Sequence, residues 1–259
     1  MNLNNIAALE NTPLKGGIAG RSTFQIRSEI KPAASAGKSA GKRRAAIFDV
    51  DLTLTRRDSM LLFLQFMLKR KPWLCFHVLP IGLGVILKSL RLIDGTALKN
   101  RLYRILDHCT AREVPELMSQ FWKTVLVHDL SETGVALVRR HREQGDAIVL
   151  ISASSDLYLK LLADFFQAEA LICTQMKIVS ETESSYRIHG ENCRGENKLR
   201  RLQSHEIFPE IDWQNSYCYT DHHSDLPLLK LVGHPVVING TRKLKRLARQ
   251  YNWEIVEFS

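Results

Sequence analysis

The sequence lacks the features of a secreted, disulfide-stabilised or zinc-binding protein. Its 259 residues include five cysteines, an odd number, and none of them forms a C-x-x-C pair. Disulfide frameworks need paired cysteines, and structural zinc sites usually need closely spaced ones. The N-terminal stretch also has no apolar core of signal-peptide length. We therefore expect a protein of a reducing compartment, in which most cysteines are inert packing residues.

No apolar run is long enough to cross a bilayer, which takes about twenty residues. The two longest runs, 60–68 and 73–87, are separated by Lys69, Arg70, Lys71 and Pro72. Because both are apolar nearly all round, we expect them to enter one leaflet while the basic residues meet anionic headgroups. The alternative is that they form the core of an ordinary helix bundle.

The chain is basic, with a formal net charge of +9, and most of this charge lies near the N-terminus. Residues 1–42 are rich in Ala, Gly, Ser and Lys with little periodicity, which predicts a disordered tail. The basic run 38–44 has no interleaved aromatic residues and matches no nucleic-acid-binding module. We therefore expect an anionic membrane surface as a partner, and no nucleic acid.

An apolar run followed by two carboxylates is the most informative segment. Residues 45–50 read as a buried strand that ends in two carboxylates, Asp49 and Asp51. In open α/β folds, ligands bind at the carboxyl ends of the strands. Alone, two acids after a strand are a weak motif, and they could simply begin a solvated turn.

Three later segments complete a phosphate-transfer pattern. A second apolar strand ends at Ser152 and Ala153, whose hydroxyl and backbone N–H groups can donate to a phosphate. Lys198 begins a helix-like stretch, and a third strand ends in Asp221 and Asp225. A carboxylate can approach an anionic phosphate ester only if a cation screens the repulsion. The converging acids suit Mg²⁺, a hard ion that prefers oxygen ligands.

His222 and His223 lie between the two late acids. Imidazole prefers softer metals than Mg²⁺, and paired histidines in an exposed loop are usually solvated. We therefore expect no direct catalytic role for them, although contact with substrate remains open.

These segments resemble the motifs of the haloacid dehalogenase superfamily, in its phosphoserine phosphatase-like branch. The D-x-D-x-T pattern is met by Asp49, Asp51 and Thr53, with Leu52 where many members have glycine. The resemblance implies a Mg²⁺-dependent phosphatase in which Asp49 attacks phosphorus and forms an aspartyl-phosphate. Asp51 would protonate the leaving alcohol and then activate water.

The same resemblance implies roles for the other residues of the pattern. Ser152, Ala153 and Lys198 would bind the phosphoryl group. Asp49, Asp221 and the backbone carbonyl of Asp51 would hold the metal, and Asp225 would support the metal's water or Lys198.

The predicted architecture is an α/β fold with a doubly wound parallel sheet and an inserted helical cap. Roughly a hundred residues separate Asp49 from Ser152, far more than a crossover between neighbouring strands requires. We place the catalytic core at 43–57 and 145–259 and the cap at 58–144. Capping signals at Asp58, Thr110 and Ser131 predict helices within this insertion.

The apolar, basic start of the cap resembles the phosphatidylglycerophosphatase C family. This resemblance implies a lipid phosphate substrate such as phosphatidylglycerol phosphate, at the cytoplasmic face of the bacterial inner membrane. The alternative is a soluble cytoplasmic phosphatase of small metabolites such as phosphoserine. A non-catalytic binding module is disfavoured because the set of acids, hydroxyl and lysine is complete.

Overall fold

The computed structural model describes residues 41–76, 95–180 and 185–257. Most of the predicted tail, and the second apolar run beyond Phe76, lie outside the described residues. Eight strands are described: β1 Ala45–Phe48, β2 Ala147–Ser155, β3 Ala170–Thr174, β4 Met176–Ser180, β5 Ser185–Ile188, β6 Tyr217–Thr220, β7 His234–Ile238 and β8 Glu254–Val256.

Six of these strands form one parallel sheet in the order β3-β2-β1-β6-β7-β8. The strands β4 and β5 form a separate antiparallel hairpin. All four residues of β1 are buried, as expected for a central strand covered on both faces. The prediction of a parallel, helix-covered sheet is confirmed.

Eight α-helices are described: α1 Ser59–Arg70, α2 Gly95–Tyr103, α3 Glu113–Phe121, α4 Glu132–Glu143, α5 Asp156–Phe166, α6 Glu196–Gln203, α7 Leu226–Leu229 and α8 Arg242–Gln250. The first four lie between β1 and β2, so the predicted helical insertion is present. Two predicted caps are confirmed. Asp58 Oδ1 accepts from the N–H groups of Met60 and Leu61, and Thr110 and Glu113 each accept from the other's backbone N–H.

Helix α4 returns the chain to the loop that follows β1. The Ser131 N–H donates to the carbonyl of Leu54 at 2.8 Å, and Thr55 pairs with Leu130. A Cβ atom on Gly134 would lie 3.1 Å from the carbonyl oxygen of Thr53. Glycine at this position therefore lets the helix approach the loop that contains the first motif.

The first apolar run packs on protein rather than facing outward all round. Five large apolar side chains of α1 are buried: Met60, Leu62, Phe63, Phe66 and Met67. Phe63 makes edge-to-face contact with Phe121 of α3, with ring centroids 5.3 Å apart. For this run the bundle-core alternative is therefore the better description. In the described residues no helix is long and apolar enough to span a membrane.

Two exposed aromatic side chains lie just after α1. Trp73 is 47% exposed and Phe76 is 73% exposed, and both follow the basic residues Lys69, Arg70 and Lys71. Leu61, on α1 itself, is 55% exposed. The surface that could meet a membrane is thus confined, among the described residues, to a few side chains.

The five cysteines are free thiols, as predicted. Cys75 is exposed, and the other four are buried. Burial raises the pKa of Cys218, which lies on β6, well above its usual value. A buried thiol that stays protonated is a packing residue rather than a nucleophile.

Candidate active site

The carboxyl ends of β1, β2 and β6 bring the sequence motifs to one edge of the sheet. Asp49 follows β1, Ser152 and Ala153 lie near the end of β2, and Asp221 follows β6. The N–H of Asp49 donates to the carbonyl of Tyr219 at 2.9 Å, which continues the pairing of β1 and β6 into the site. Parallel pairing in register thus places acids distant in sequence close together.

Lys198 is the centre of a buried ionic cluster. Its Nζ lies 2.6 Å from Oδ2 of Asp225 and 3.0 Å from Oδ2 of Asp49. Thr220 donates to Asp225 Oδ2 at 2.9 Å, while its Oγ1 lies 3.4 Å from Asp49 Oδ2. Lys198 is only 2% exposed, so its charge depends on these carboxylates.

The pKa values of Asp49 and Asp225 are shifted in opposite directions. Burial raises the pKa of Asp49 well above its usual value, and Asp225, Asp221 and Asp51 raise it further against the opposing effect of Lys198. For Asp225, burial acts in the same direction, but the charge of Lys198 together with hydrogen bonds to Lys198, Asp49 and Thr220 outweighs it, and the pKa is lowered. Burial would lower the pKa of Lys198, yet Asp49 and Asp225 raise it overall. Asp225 therefore stays ionised as the counter-ion of Lys198, whereas burial opposes the ionisation of Asp49.

Asp51 is held apart from this cluster by two donors. The backbone N–H of Ser59 donates to its Oδ1 at 2.7 Å, and the Ser154 hydroxyl donates to its Oδ2 at 2.6 Å. The Ser59 hydroxyl in turn donates to Ser154 Oγ at 3.1 Å and lies 3.3 Å from the hydroxyl of Tyr158. These contacts fix the carboxylate of Asp51 in one orientation. Sequence reasoning assigned no such role to Ser59, Ser154 or Tyr158.

A bulge at the end of β2 forms the predicted phosphate-binding segment. Ser152 pairs with Cys173, but the next pair is Ser155 with Thr174, so Ala153 and Ser154 fall outside the regular register. The Ser154 N–H donates to Ser152 Oγ at 3.0 Å. The bulge therefore removes the backbone groups of Ala153 and Ser154 from the regular pairing between β2 and β3.

Asp221 is buried near the cluster. It is 6% exposed, and its backbone carbonyl accepts from the N–H of Thr241 at 2.9 Å. Burial raises the pKa of its carboxyl to about 7, against the opposing effect of Lys198. In the described part of the chain, no hydrogen bond or ion pair joins this carboxylate to the other predicted residues. Its electrostatic coupling to them nonetheless indicates proximity.

The two histidines after Asp221 contact each other and their own loop. Their rings are tilted by 34° with centroids 4.2 Å apart, and Nδ1 of His222 accepts from the N–H of Ser224 at 3.1 Å. Burial, together with the charges of His223 and Arg194, lowers the pKa of His222 to about 4. His222 is therefore neutral near pH 7, and its Nδ1 is engaged within the loop.

Lys99 of α2 reaches the same edge of the sheet, and sequence reasoning did not find it. Its Nζ donates to the carbonyl of Ala153 at 2.5 Å and to Oδ1 of Asn192 at 3.1 Å. Burial lowers the pKa of Lys99 to about 8. No local motif marks this lysine, because its relation to the site depends on how α2 packs.

A family model confirms what this geometry indicates. The model of the haloacid dehalogenase-like hydrolases matches residues 46–230, which include every residue of the predicted site. The chain belongs to this family. The prediction of a hydrolase of the haloacid dehalogenase superfamily is therefore correct.

Relatives of this haloacid dehalogenase-like hydrolase include several proteins named as phosphatases. A probable phosphatase of Mycobacterium tuberculosis is 27% identical, over 89% of this chain and 81% of its own length. A histidinol-phosphatase of Neisseria meningitidis is 24% identical, over 83% and 99%. A phosphoserine phosphatase of M. tuberculosis is also 24% identical, over 83% and 70%.

A solved structure supports the same fold for this hydrolase. A Bordetella pertussis protein of unknown function superposes with a TM-score of 0.73 at 23% identity, over 83% of this chain and 98% of the other. At this identity the likeness shows the fold alone. The substrate must be argued from the residues of the site.

Proposed function

We propose that this hydrolase is a Mg²⁺-dependent phosphomonoesterase that works through an aspartyl-phosphate on Asp49. The observation that carries the proposal is that two neighbouring carboxylates, those of Asp49 and Asp51, have different hydrogen-bond and ion-pair partners. Asp49 lies in a buried ionic cluster 3.0 Å from Lys198, whereas Asp51 is held apart by Ser59 and Ser154. Two acids in different environments suit two different tasks, nucleophile and general acid/base.

The reaction follows from these positions. Asp49 attacks phosphorus while the ester bond to the leaving oxygen breaks, and Asp51 gives that oxygen its proton. Asp51 then takes a proton from the water that cleaves the aspartyl-phosphate, which regenerates Asp49 and releases phosphate. Lys198 offsets the negative charge on the phosphoryl oxygens, and Ser152 and Ala153 supply hydrogen-bond donors.

The donor set fits a hard divalent cation. Four carboxylates, those of Asp49, Asp51, Asp221 and Asp225, act on one another's electrostatics around a single buried lysine. Asp49, Asp221 and the backbone carbonyl of Asp51 would hold Mg²⁺, which would screen the approach of the anionic substrate. In the described residues no three Asp, Glu, His or Cys side chains form a ready metal-binding group. The proposed ligands include only two such side chains, Asp49 and Asp221, because the third ligand is the backbone carbonyl of Asp51.

A small soluble phosphomonoester is the preferred substrate class. The relatives named for a substrate are a histidinol-phosphatase and a phosphoserine phosphatase. Because α1 is packed on protein, the first apolar run is also not available as a surface for a lipid substrate. We accordingly propose that the insertion, within residues 58–144, covers the site and selects the substrate, while 43–57 and 145–259 form the catalytic core.

A lipid phosphate such as phosphatidylglycerol phosphate is the second candidate. It is favoured by the exposure of Trp73 and Phe76, 47% and 73%, directly after three basic residues. Aromatic side chains beside cations are typical of segments that meet anionic membrane surfaces. In this case the enzyme would act at the cytoplasmic face of the bacterial inner membrane. The Trp73→Ser/Phe76→Ser double variant should then lose sedimentation with phosphatidylglycerol vesicles and keep its activity on soluble esters.

The proposed chemistry is tested by substitution of the nucleophile. Purified Asp49→Asn protein should lose turnover of every phosphomonoester in a panel of soluble and lipid phosphates, because asparagine cannot form the acyl-phosphate. Asp164→Asn, which changes an exposed acid on α5, is the matched control and should retain activity. Excess chelator should abolish activity, and Mg²⁺ should restore it. Substantial turnover by folded Asp49→Asn protein would contradict the proposal.

A further inference from the structure

Lys99 brings a positive charge to the edge of the site from the inserted helices. Its two acceptors are the carbonyl of Ala153, at 2.5 Å, and the side-chain oxygen of Asn192, at 3.1 Å. Ala153 directly follows Ser152, so the ammonium group lies next to the segment assigned to phosphate binding. Thr174 also donates to the Ala153 carbonyl, at 2.7 Å, and this fixes the position of that peptide.

Among the described residues, the ammonium group of Lys99 has only neutral hydrogen-bond acceptors, and no carboxylate oxygen lies within 4.0 Å of its Nζ. A partly buried cation without a direct ion pair is incompletely compensated. Burial is the main cause of the lowered pKa of Lys99, and the charges of Arg194 and Lys198 add to it, whereas the more distant carboxylates of Asp51 and Asp58 oppose it. An anion at this position would complete the compensation.

Arg194 is joined to Lys99 through Asn192. The side chain of Asn192 accepts from Lys99, while its backbone carbonyl accepts from the N–H of Arg194 at 2.8 Å. Asn192 is only 8% exposed, whereas Arg194 is exposed. The charge of Arg194 contributes to the lowered pKa of Lys99, which indicates that the two cations lie near each other.

The cation for the reacting phosphate is a different residue. Lys198 lies within 3.0 Å of both Asp49 and Asp225, so its charge is committed to the catalytic cluster. Lys99 and Arg194 therefore add positive charge beyond what the reacting phosphate requires. Such a surplus predicts a second negative group on the substrate.

We propose that Lys99 and Arg194 bind a second anionic group of the substrate, next to the phosphate that Asp49 attacks. This inference rests on the proposed phosphomonoesterase function and narrows its substrate class. The preferred substrates are phosphomonoesters that also carry a carboxylate or a second phosphate. Esters whose remaining part is neutral or cationic are poorer substrates.

Two matched pairs of esters test this preference. Phosphoglycolate and ethyl phosphate differ in a carboxylate, and propane-1,3-diol bisphosphate and propyl phosphate differ in a second phosphate. The wild-type enzyme should show a kcat/KM at least about tenfold higher for the doubly anionic member of one pair, as expected for a charge-assisted contact. The pair with the larger ratio identifies the second group as carboxylate or phosphate.

The variants Lys99→Met and Arg194→Gln should remove most of this ratio. In each, kcat/KM for the doubly anionic ester should fall about tenfold, while that for the simple ester stays within about threefold. Lys123→Met, which removes an exposed lysine of the same insertion, is the matched control and should leave the ratio unchanged. An equal loss for both esters, or no loss for either, would show that Lys99 does not bind a second anionic group.

A binding measurement separates this inference from the proposed chemistry. In the Asp49→Asn background, calorimetry should show that phosphoglycolate or the bisphosphate binds at least about tenfold more tightly than its simple partner, and that Lys99→Met removes the difference. Equal affinities within both pairs would overturn the inference even in an active phosphatase. Failure of the wild type to hydrolyse any ester would instead contradict the proposed function, and the affinities would still decide this inference.

Discussion

Lys198 and Asp225 form the shortest ion pair of the catalytic cluster, with 2.6 Å between Nζ and Oδ2. Both side chains are buried, and Lys198 also contacts Asp49 at 3.0 Å. The lysine is therefore held between a carboxylate that keeps it charged and a carboxylate that is proposed to react. The two partners of this pair should respond differently to substitution.

Lys198→Met should destabilise the protein more than Asp225→Asn. The first change leaves two buried carboxylates without their cation, whereas the second leaves Lys198 paired with Asp49. Breaking a buried ion pair costs about 3–5 kcal/mol, and we expect Lys198→Met at the upper end of this range. Urea denaturation of chelator-treated protein measures both free energies of unfolding. Equal or reversed losses would contradict this description of the cluster.

Ser154→Ala should lower kcat with little effect on KM. The Ser154 hydroxyl donates to Asp51 at 2.6 Å, so its loss removes one of the two groups that orient the proposed acid/base. We expect kcat to fall about tenfold while KM stays nearly unchanged, as steady-state kinetics on a soluble phosphomonoester would measure.

Ser155→Ala is the matched control for Ser154→Ala. The Ser155 hydroxyl caps α5 by accepting from the N–H of Leu157, and the residue is equally buried. This control should lose about 1 kcal/mol of stability and retain the wild-type kcat. A similar fall in kcat in both variants would show that Ser154 has only a structural role.

Protein stripped of divalent cations should become less stable as pH rises. Burial raises the pKa of Asp221 to about 7, so the folded state resists its ionisation. A carboxyl with a raised pKa contributes stability that is present below its unfolded pKa, near 4, and lost as pH rises to 7. For Asp221 alone the loss is of the order of 4 kcal/mol.

The measurement is the free energy of unfolding of chelator-treated protein between about pH 5 and pH 8. Asp221→Asn should reduce the slope, since asparagine does not ionise, and added Mg²⁺ should restore wild-type stability at the upper end. An unchanged slope in Asp221→Asn would show that this carboxyl is not the group responsible.

Leu52→Gly should stabilise the protein. Leu52 has φ of +61°, in the left-handed region that disfavours side chains with a Cβ. Relief of this strain is worth roughly 1–2 kcal/mol, and the entropy of glycine in the unfolded chain offsets part of it, so we expect a gain of up to about 1 kcal/mol. Leu52→Ala retains the Cβ and serves as the control, without a gain. Thermal unfolding measures both variants.

Much of the site could be predicted from the sequence because its parts are local. Each apolar run ends in the residue that a strand delivers to the edge of the sheet, as with Asp49 after β1 and Asp221 after β6. Helix caps such as Asp58 are similarly local, since the side chain bonds backbone groups two and three residues later. Hydrophobic periodicity and short-range hydrogen bonding therefore determined the sheet, the insertion and the predicted acids.

Tertiary structure alone decided the contacts between segments distant in sequence. The partnership of Asp51 with Ser154 depends on the bulge in β2, and the position of Lys99 depends on how α2 packs. The apolar residues of α1 led us to expect insertion into a leaflet, whereas the structure covers them with protein. Both environments exclude water from the same side chains, and only the packing of Phe63 against Phe121 and Tyr158 distinguished them.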